Sequence, residues 1–143
     1  MDQATSSLLK ECSSGCLMAV DSMNQVSKFV TDEKLEQIIT SYKQKHEQLE
    51  QKAADLLKAG GEAVKQPGMA ASAFSWITTE VKMKLNQDAA QVSKLMMNGC
   101  NMGIQSISEA INQNKCASKE SRSLAEELVK AEEDFMKDLQ QFL

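Results

Sequence analysis

The sequence predicts an all-α protein built as a four-helix bundle, and three observations support that prediction. The 143 residues include one proline and six glycines, too few for the turns of an antiparallel β-protein. Hydrophobic residues make up 42% of the chain, enough for a core and more than disordered chains carry. These residues recur at steps of three and four, as they do along one face of an α-helix. A chain of this length is expected to form one domain, 1–143.

The first two helices are predicted at about 3–29 and 32–58, so that 3–58 forms a helical hairpin. Asp32 offers a side-chain cap to the second helix, and Gly60 and Gly61 end it. The apolar column of the first helix is Leu9, Cys12, Cys16, Ala19, Met23, Val26 and Val30. The column of the second is Leu35, Ile39, Tyr42, His46, Leu49, Ala53 and Leu56.

Residues 59–86 are predicted to form a crossover that connects two hairpins. Its first part, GGEAVKQPG at 60–68, holds the only proline and reads as a linker. A short helix of about seventeen residues follows and carries Trp76. Such a connection is long enough to travel back along the bundle, so the second and third long helices are predicted to be parallel. We expect Trp76 to be buried within the monomer or in a homodimer interface.

The second hairpin is predicted at 87–142, with helices at about 87–113 and 119–142, and it repeats the first. GCLMAVDSM at 15–23 aligns with GCNMGIQSI at 99–107, an offset of 84 that superimposes the apolar columns of two helices. An offset of 86 superimposes the other two helices and places Glu132 on His46. The chain is therefore predicted to contain an internal duplication.

Two such hairpins joined by a long crossover resemble the ferritin-like four-helix bundles, in particular small bacterial members of that class. The resemblance covers nearly the whole chain and implies the fold. The di-iron ligands of that family, a Glu on each of two helices and Glu-x-x-His on each of the others, are absent from this chain. Lys43 stands three residues before His46, the only histidine, and Val129 stands three before Glu132.

Counting from the two hairpin turns places four polar or sulfur side chains at one level of the core. His46 is predicted opposite Met18, and Glu132 opposite Met102. The resulting core layer consists of Cys16, His46, Cys100 and Glu132. Two thiolates, an imidazole and a carboxylate are acceptable ligands for Zn²⁺, so this layer is a candidate site for zinc or another transition metal.

The core layer and the sulfur side chains near it also allow interpretations that involve no zinc. His46 and Glu132 can form a buried pair with small cysteines beside them, because a buried charge needs a partner. Cys12, Cys16 and the methionines are soft ligands that suit Cu(I). Cys16 and His46 could instead form a thiolate–imidazolium pair in a thiol enzyme, although no oxyanion donor is evident. No cofactor is needed for stability, because a chain this long can bury its own core.

The net charge and the N-terminal residues bear on the location of the protein and on its partners. The net charge is −4 with both signs interspersed, which argues against nucleic acid as a partner. The start, MDQATSSLLK, has no apolar signal region and no window is apolar enough to span a membrane, so a cytoplasmic protein is expected. The expected function is a non-catalytic scaffold or interaction protein with a degenerate metal site. The alternative is a metal-binding or redox protein that uses the core layer.

Overall fold

The computed structural model describes residues 1–64 and 88–143, and in these two ranges all regular structure is helical. The helices are α1 Gln3–Ser27, α2 Glu33–Ala59, α3 Ala89–Gln113 and α4 Lys119–Leu139, with a 3₁₀ turn at Gln140–Phe142. The predicted all-α class and the four long helices are confirmed. The predicted crossover helix, with Trp76, lies outside the described residues. None of the described helices is long and apolar enough to cross a bilayer.

Side-chain caps begin each long helix and explain why the predicted starts are close to the observed ones. Each capping side chain accepts a hydrogen bond from a backbone amide in the first turn, which otherwise has no partner inside the helix. The caps are Asp2 to Thr5, Asp32 to Leu35, Asp88 to Ala90 and Ser118 to Ser121. The helix predicted to reach residue 142 ends at Leu139, because its last residues tighten into the 3₁₀ turn.

The helices pack in a ring in which α1 and α4 each contact both α2 and α3, and α1 also contacts α4 across the centre. The start of α1 lies beside the end of α3, where the backbone N–H of Ser118 donates to Thr5 Oγ1 at 2.8 Å. At the opposite end, Met23 of α1 packs in one cluster with Val92 and Met96 of α3. Helices α1 and α3 are therefore antiparallel. Since α1 is also antiparallel to α2 in the hairpin, α2 and α3 are parallel, as predicted.

The hydrophobic core consists of two clusters that meet near the middle of the bundle. One contains Leu8, Leu9, Cys12, Cys16, Leu49, Ala53, Leu57, Ile107, Ala110, Ala117, Leu124, Ala125, Leu128 and Ala131. The other contains Met23, Val26, Leu35, Ile39, Val92, Leu95, Met96, Cys100, Phe135 and Leu139. His46 and Glu132 fall between the two clusters on α2 and α4. The fold thus places the buried polar side chains of these two helices at the junction of two apolar regions.

Candidate functional site

His46 is completely buried on α2, and both nitrogens of its ring are hydrogen-bonded within the protein. Nδ1 lies 2.6 Å from the backbone oxygen of Tyr42, and Nε2 lies 2.5 Å from Glu132 Oε1. A carbonyl oxygen can only accept, so Nδ1 must carry a proton. The Nε2 contact then holds a second proton, either on the imidazolium or on the Glu132 carboxyl group. The predicted approach of His46 and Glu132 in the core is confirmed.

Glu132 reaches the junction from α4 and is only 6% exposed. Cys100 on α3 lies close enough to this carboxyl group that Glu132, in addition to burial, raises the pKa of the Cys100 thiol. Gly103, one turn after Cys100 on α3, faces the same group: a Cβ atom at Gly103 would lie 3.5 Å from Glu132 Cδ, an ordinary contact distance. The glycine therefore leaves this side of the carboxyl group uncovered, whereas an alanine would touch it.

The environment of His46 favours its charged form. Burial alone would lower its pKa, because desolvation disfavours a charge. The hydrogen bond and charge of Glu132, helped by the Tyr42 carbonyl, outweigh burial and raise the pKa of His46 above its ordinary value. His46 is therefore held as an imidazolium up to a higher pH than an isolated histidine would be.

The buried thiols are shifted towards their neutral form. Burial raises the pKa of Cys12 to about 12, with a smaller contribution from the charge of Glu11. Burial, Cys12 and the carboxylates of Glu132 and Glu50 raise the pKa of Cys16 well above its ordinary value. Burial and Glu132 likewise raise the pKa of Cys100. Since the thiolate is both nucleophile and metal ligand, these pKa shifts disfavour both roles for the three buried thiols near neutral pH.

Only part of the predicted core layer is brought into contact. His46 hydrogen-bonds to Glu132, whereas Cys100 and Cys16 are close enough to Glu132 for the carboxylate charge to raise the pKa of their thiols. Within 1–64 and 88–143, no three His, Cys, Asp or Glu side chains are grouped so that they could hold a metal ion. A metal at His46 Nε2 would also have to displace the proton shared with Glu132. Zinc at Cys16, His46, Cys100 and Glu132 stays a prediction.

A stacked aromatic pair adjoins this site and was not anticipated from the sequence. The rings of Tyr42 and Phe135 are parallel to within 13°. The Tyr42 hydroxyl donates to Asp138 Oδ2 at 2.6 Å, and burial together with this bond raises the pKa of Tyr42. The spacing carried a signal for the stack, because Tyr42 precedes His46 by one turn and Phe135 follows Glu132 by one turn.

A cavity of about 190 Å³ opens between α1 and α3 and reaches the same junction. Its floor includes the buried side chains of Met23, Met96, Cys100, Glu132 and Phe135. Small residues line it on both helices, among them Gly15, Ala19, Gly99 and Gly103. The sequence contained a sign of this cavity, since the small residues stand four apart on each of the two helices. The periodic pattern could not show whether the helices close over them.

Comparisons of the chain with models of protein families, with curated proteins and with solved structures give no match. The ferritin-like resemblance therefore stays a proposal that rests on the arrangement of the described helices.

Proposed function

We propose that this protein is a non-catalytic helical bundle of ferritin-like architecture that acts as a scaffold or interaction protein, with a degenerate metal site at its centre. The state of His46 carries the proposal. Its two ring nitrogens are bonded to Tyr42 and Glu132 at the depth where a di-iron protein would present ligands. An imidazole with both nitrogens hydrogen-bonded in this way has a structural role in the core.

The course of the helices supports the ferritin-like part of the proposal. Two antiparallel hairpins, α1 with α2 and α3 with α4, lie side by side with α2 parallel to α3. The sequence offsets of 84 and 86 relate the same two hairpins, and the second offset relates His46 to Glu132. A duplicated hairpin would place these two positions at equivalent depths, where they could meet.

The chemistry of the junction supports a role without catalysis. A thiol enzyme needs a thiolate, and burial keeps Cys16 and Cys100 protonated. The imidazole that might deprotonate a thiol is already bonded to a carboxylate. The candidate nucleophiles are thus in the neutral form, and the candidate base already has a partner.

The two hairpins meet at two faces, α2 with α4 and α1 with α3, and polar contacts close the face between α2 and α4. Between α2 and α4, Glu127 accepts from Lys45 at 2.6 Å and lies 3.5 Å from Lys52. Between α1 and α3, small residues leave an opening, and Met102 beside it is 55% exposed. We assign the interaction role to the α1–α3 face because polar contacts already join the exposed edges of α2 and α4.

Metal analysis of the purified protein tests this proposal most directly. The protein is produced without a histidine tag, exchanged into metal-free buffer, and titrated with Zn²⁺ and Fe²⁺ alongside the His46→Gln variant. We expect far less than one metal per chain for both proteins and no difference between them. One tightly held metal per chain that is lost in His46→Gln would overturn the proposal and establish the metal-binding or redox alternative.

The homodimer remains a prediction with its own measurement. Sedimentation equilibrium of the full chain over a wide concentration range gives the oligomeric state. A concentration-dependent dimer is expected, with Trp76 fluorescence shifting to the blue as the dimer forms if this residue lies in the interface. A monomer at all concentrations would show that the homodimer prediction is wrong.

A further inference from the structure

The cavity between α1 and α3 has the lining of a small-molecule site. Apolar side chains with few polar groups are typical of ligand pockets between the helices of a bundle. Buried Met23, Met96 and Phe135 contribute sulfur and aromatic surface to the floor. Glu132 contributes a carboxyl group at the inner end, beside Gly103.

The volume limits the size of a ligand. An apolar cavity of about 150 Å³ in a helical protein is large enough to bind benzene. The cavity here, about 190 Å³, has room for a six-membered ring and a short substituent. Its opening at the rim, where Met102 is exposed, provides a path from solvent.

The charged residues that line the cavity determine which polar group a ligand can carry. Among the residues that the structure describes, the cavity lining carries two carboxyl groups, Glu132 on the floor and Glu11 on the rim, and no Lys, Arg or His. His46 binds Glu132 from α2 and is not part of the lining. A carboxylate can accept several hydrogen bonds, so Glu132 can take a further donor from the cavity side. An anion in the cavity would meet these two carboxylates directly, whereas the imidazolium of His46 lies on the far side of Glu132.

We propose that this cavity binds a small apolar amine. The ring or alkyl part packs against Met23, Met96 and Phe135, and the ammonium group donates a hydrogen bond to Glu132. Charge-assisted hydrogen bonds are the stronger ones, and a cation near an aromatic face gains further attraction. This inference goes beyond the proposed scaffold role and does not depend on it.

Three probes of nearly equal size test the chemistry. Benzylamine, benzyl alcohol and benzoate are titrated separately into metal-free protein at pH 7, with binding followed by calorimetry and by amide chemical shifts. We expect benzylamine to bind about tenfold more tightly than benzyl alcohol, the difference that one charge-assisted hydrogen bond provides. Benzoate should not bind. The proposal is overturned if benzylamine does not bind, or if benzoate or benzyl alcohol binds equally well.

A matched pair of alanine variants on α3 tests the location. A Cβ atom at Gly103 would touch the Glu132 carboxyl group at ordinary contact distance, whereas Asn101 is exposed on the same helix and is not part of the cavity lining. Both changes to alanine favour a helix, so both variants should fold. We expect Gly103→Ala to weaken benzylamine binding about tenfold, because its methyl group covers the carboxylate. Asn101→Ala should bind as the wild type does. Equal binding by Gly103→Ala and the wild type would place the amine elsewhere and overturn the proposal.

Metal analysis and amine titration have separate readouts. A protein that binds a metal ion through His46 but also prefers benzylamine would contradict the proposed function alone. A protein that binds neither a metal ion nor benzylamine would contradict this inference alone.

Discussion

Tyr42 stacks on Phe135 between α2 and α4, with the ring centroids 4.5 Å apart. The backbone oxygen of Tyr42 accepts from His46, and Phe135 lies one turn after Glu132. The stack therefore lies directly beside the buried ion pair. Aromatic surface at this position keeps water from the pair and strengthens the attraction between the two charges.

Replacing Glu132 with Gln should lower the pKa of His46. The carboxylate is what outweighs burial, and without it desolvation acts on the imidazole with little opposition. The measurement is an NMR titration of the single histidine. Glu133→Gln, at the exposed neighbouring position, is the matched control and should leave the titration unchanged. A His46 that titrates near 6.5 in the wild type and in both variants would contradict the coupling.

The stability of the protein should depend on pH through His46. Its pKa is raised in the folded state, so the stabilisation is complete below the unfolded value of about 6.5 and is lost as the pH rises through the folded value. Urea unfolding at a series of pH values, in the wild type and in Glu132→Gln, isolates this effect, since other groups contribute equally to both proteins. The free-energy difference between them should decrease as the pH rises. A constant difference would contradict the linkage.

Removing one member of the buried pair should lower the free energy of unfolding by more than removing both members. His46→Leu leaves Glu132 without its charged partner, which typically costs about 3–5 kcal/mol of unfolding free energy. The double variant His46→Leu, Glu132→Met places apolar groups at both positions and should recover most of that loss. Urea denaturation of His46→Leu, of Glu132→Met and of the double variant gives the coupling free energy between the two side chains. Additive losses would show that the contact contributes nothing to stability.

Two glycines should respond in opposite directions to alanine. Gly99 lies inside α3 and has open space around its missing Cβ, so Gly99→Ala should stabilise the fold by about 1 kcal/mol through helix propensity. Gly61 has φ of 76°, where a Cβ atom costs about 1–2 kcal/mol, so Gly61→Ala should destabilise it. Thermal unfolding of both variants provides the check. Shifts of the same sign would contradict the conformational argument.

The four cysteines should separate into one fast and three slow thiols. Cys116 is exposed, whereas the other three are buried, and burial raises the pKa of each of those. With an aromatic disulfide reagent, one thiol per native chain should react at once and the others only as the protein opens. In denaturant all four thiols should react at once. A second fast thiol that disappears in Cys16→Ser would revive the thiol enzyme hypothesis.

The sequence was most informative where one repeating pattern determines the structure. Apolar columns and caps located the helix starts, and the offset of 86 predicted that Glu132 would meet His46. Periodicity shows which face of a helix is buried, but it does not show how closely two facing side chains approach. The stacking of Tyr42 on Phe135 and the cavity beside Gly103 depend on such distances.

Thr5 connects the first turn of α1 to the residue that caps α4. Its hydroxyl donates to Asp2 Oδ2 at 2.7 Å and accepts from the Ser118 amide, 113 residues away in the chain. Asp2 caps α1 and Ser118 caps α4, so a break at either start removes a partner from the other. We therefore expect local opening at this end to be coupled between the two hairpins, so that the amides of both first turns show similar protection from hydrogen exchange.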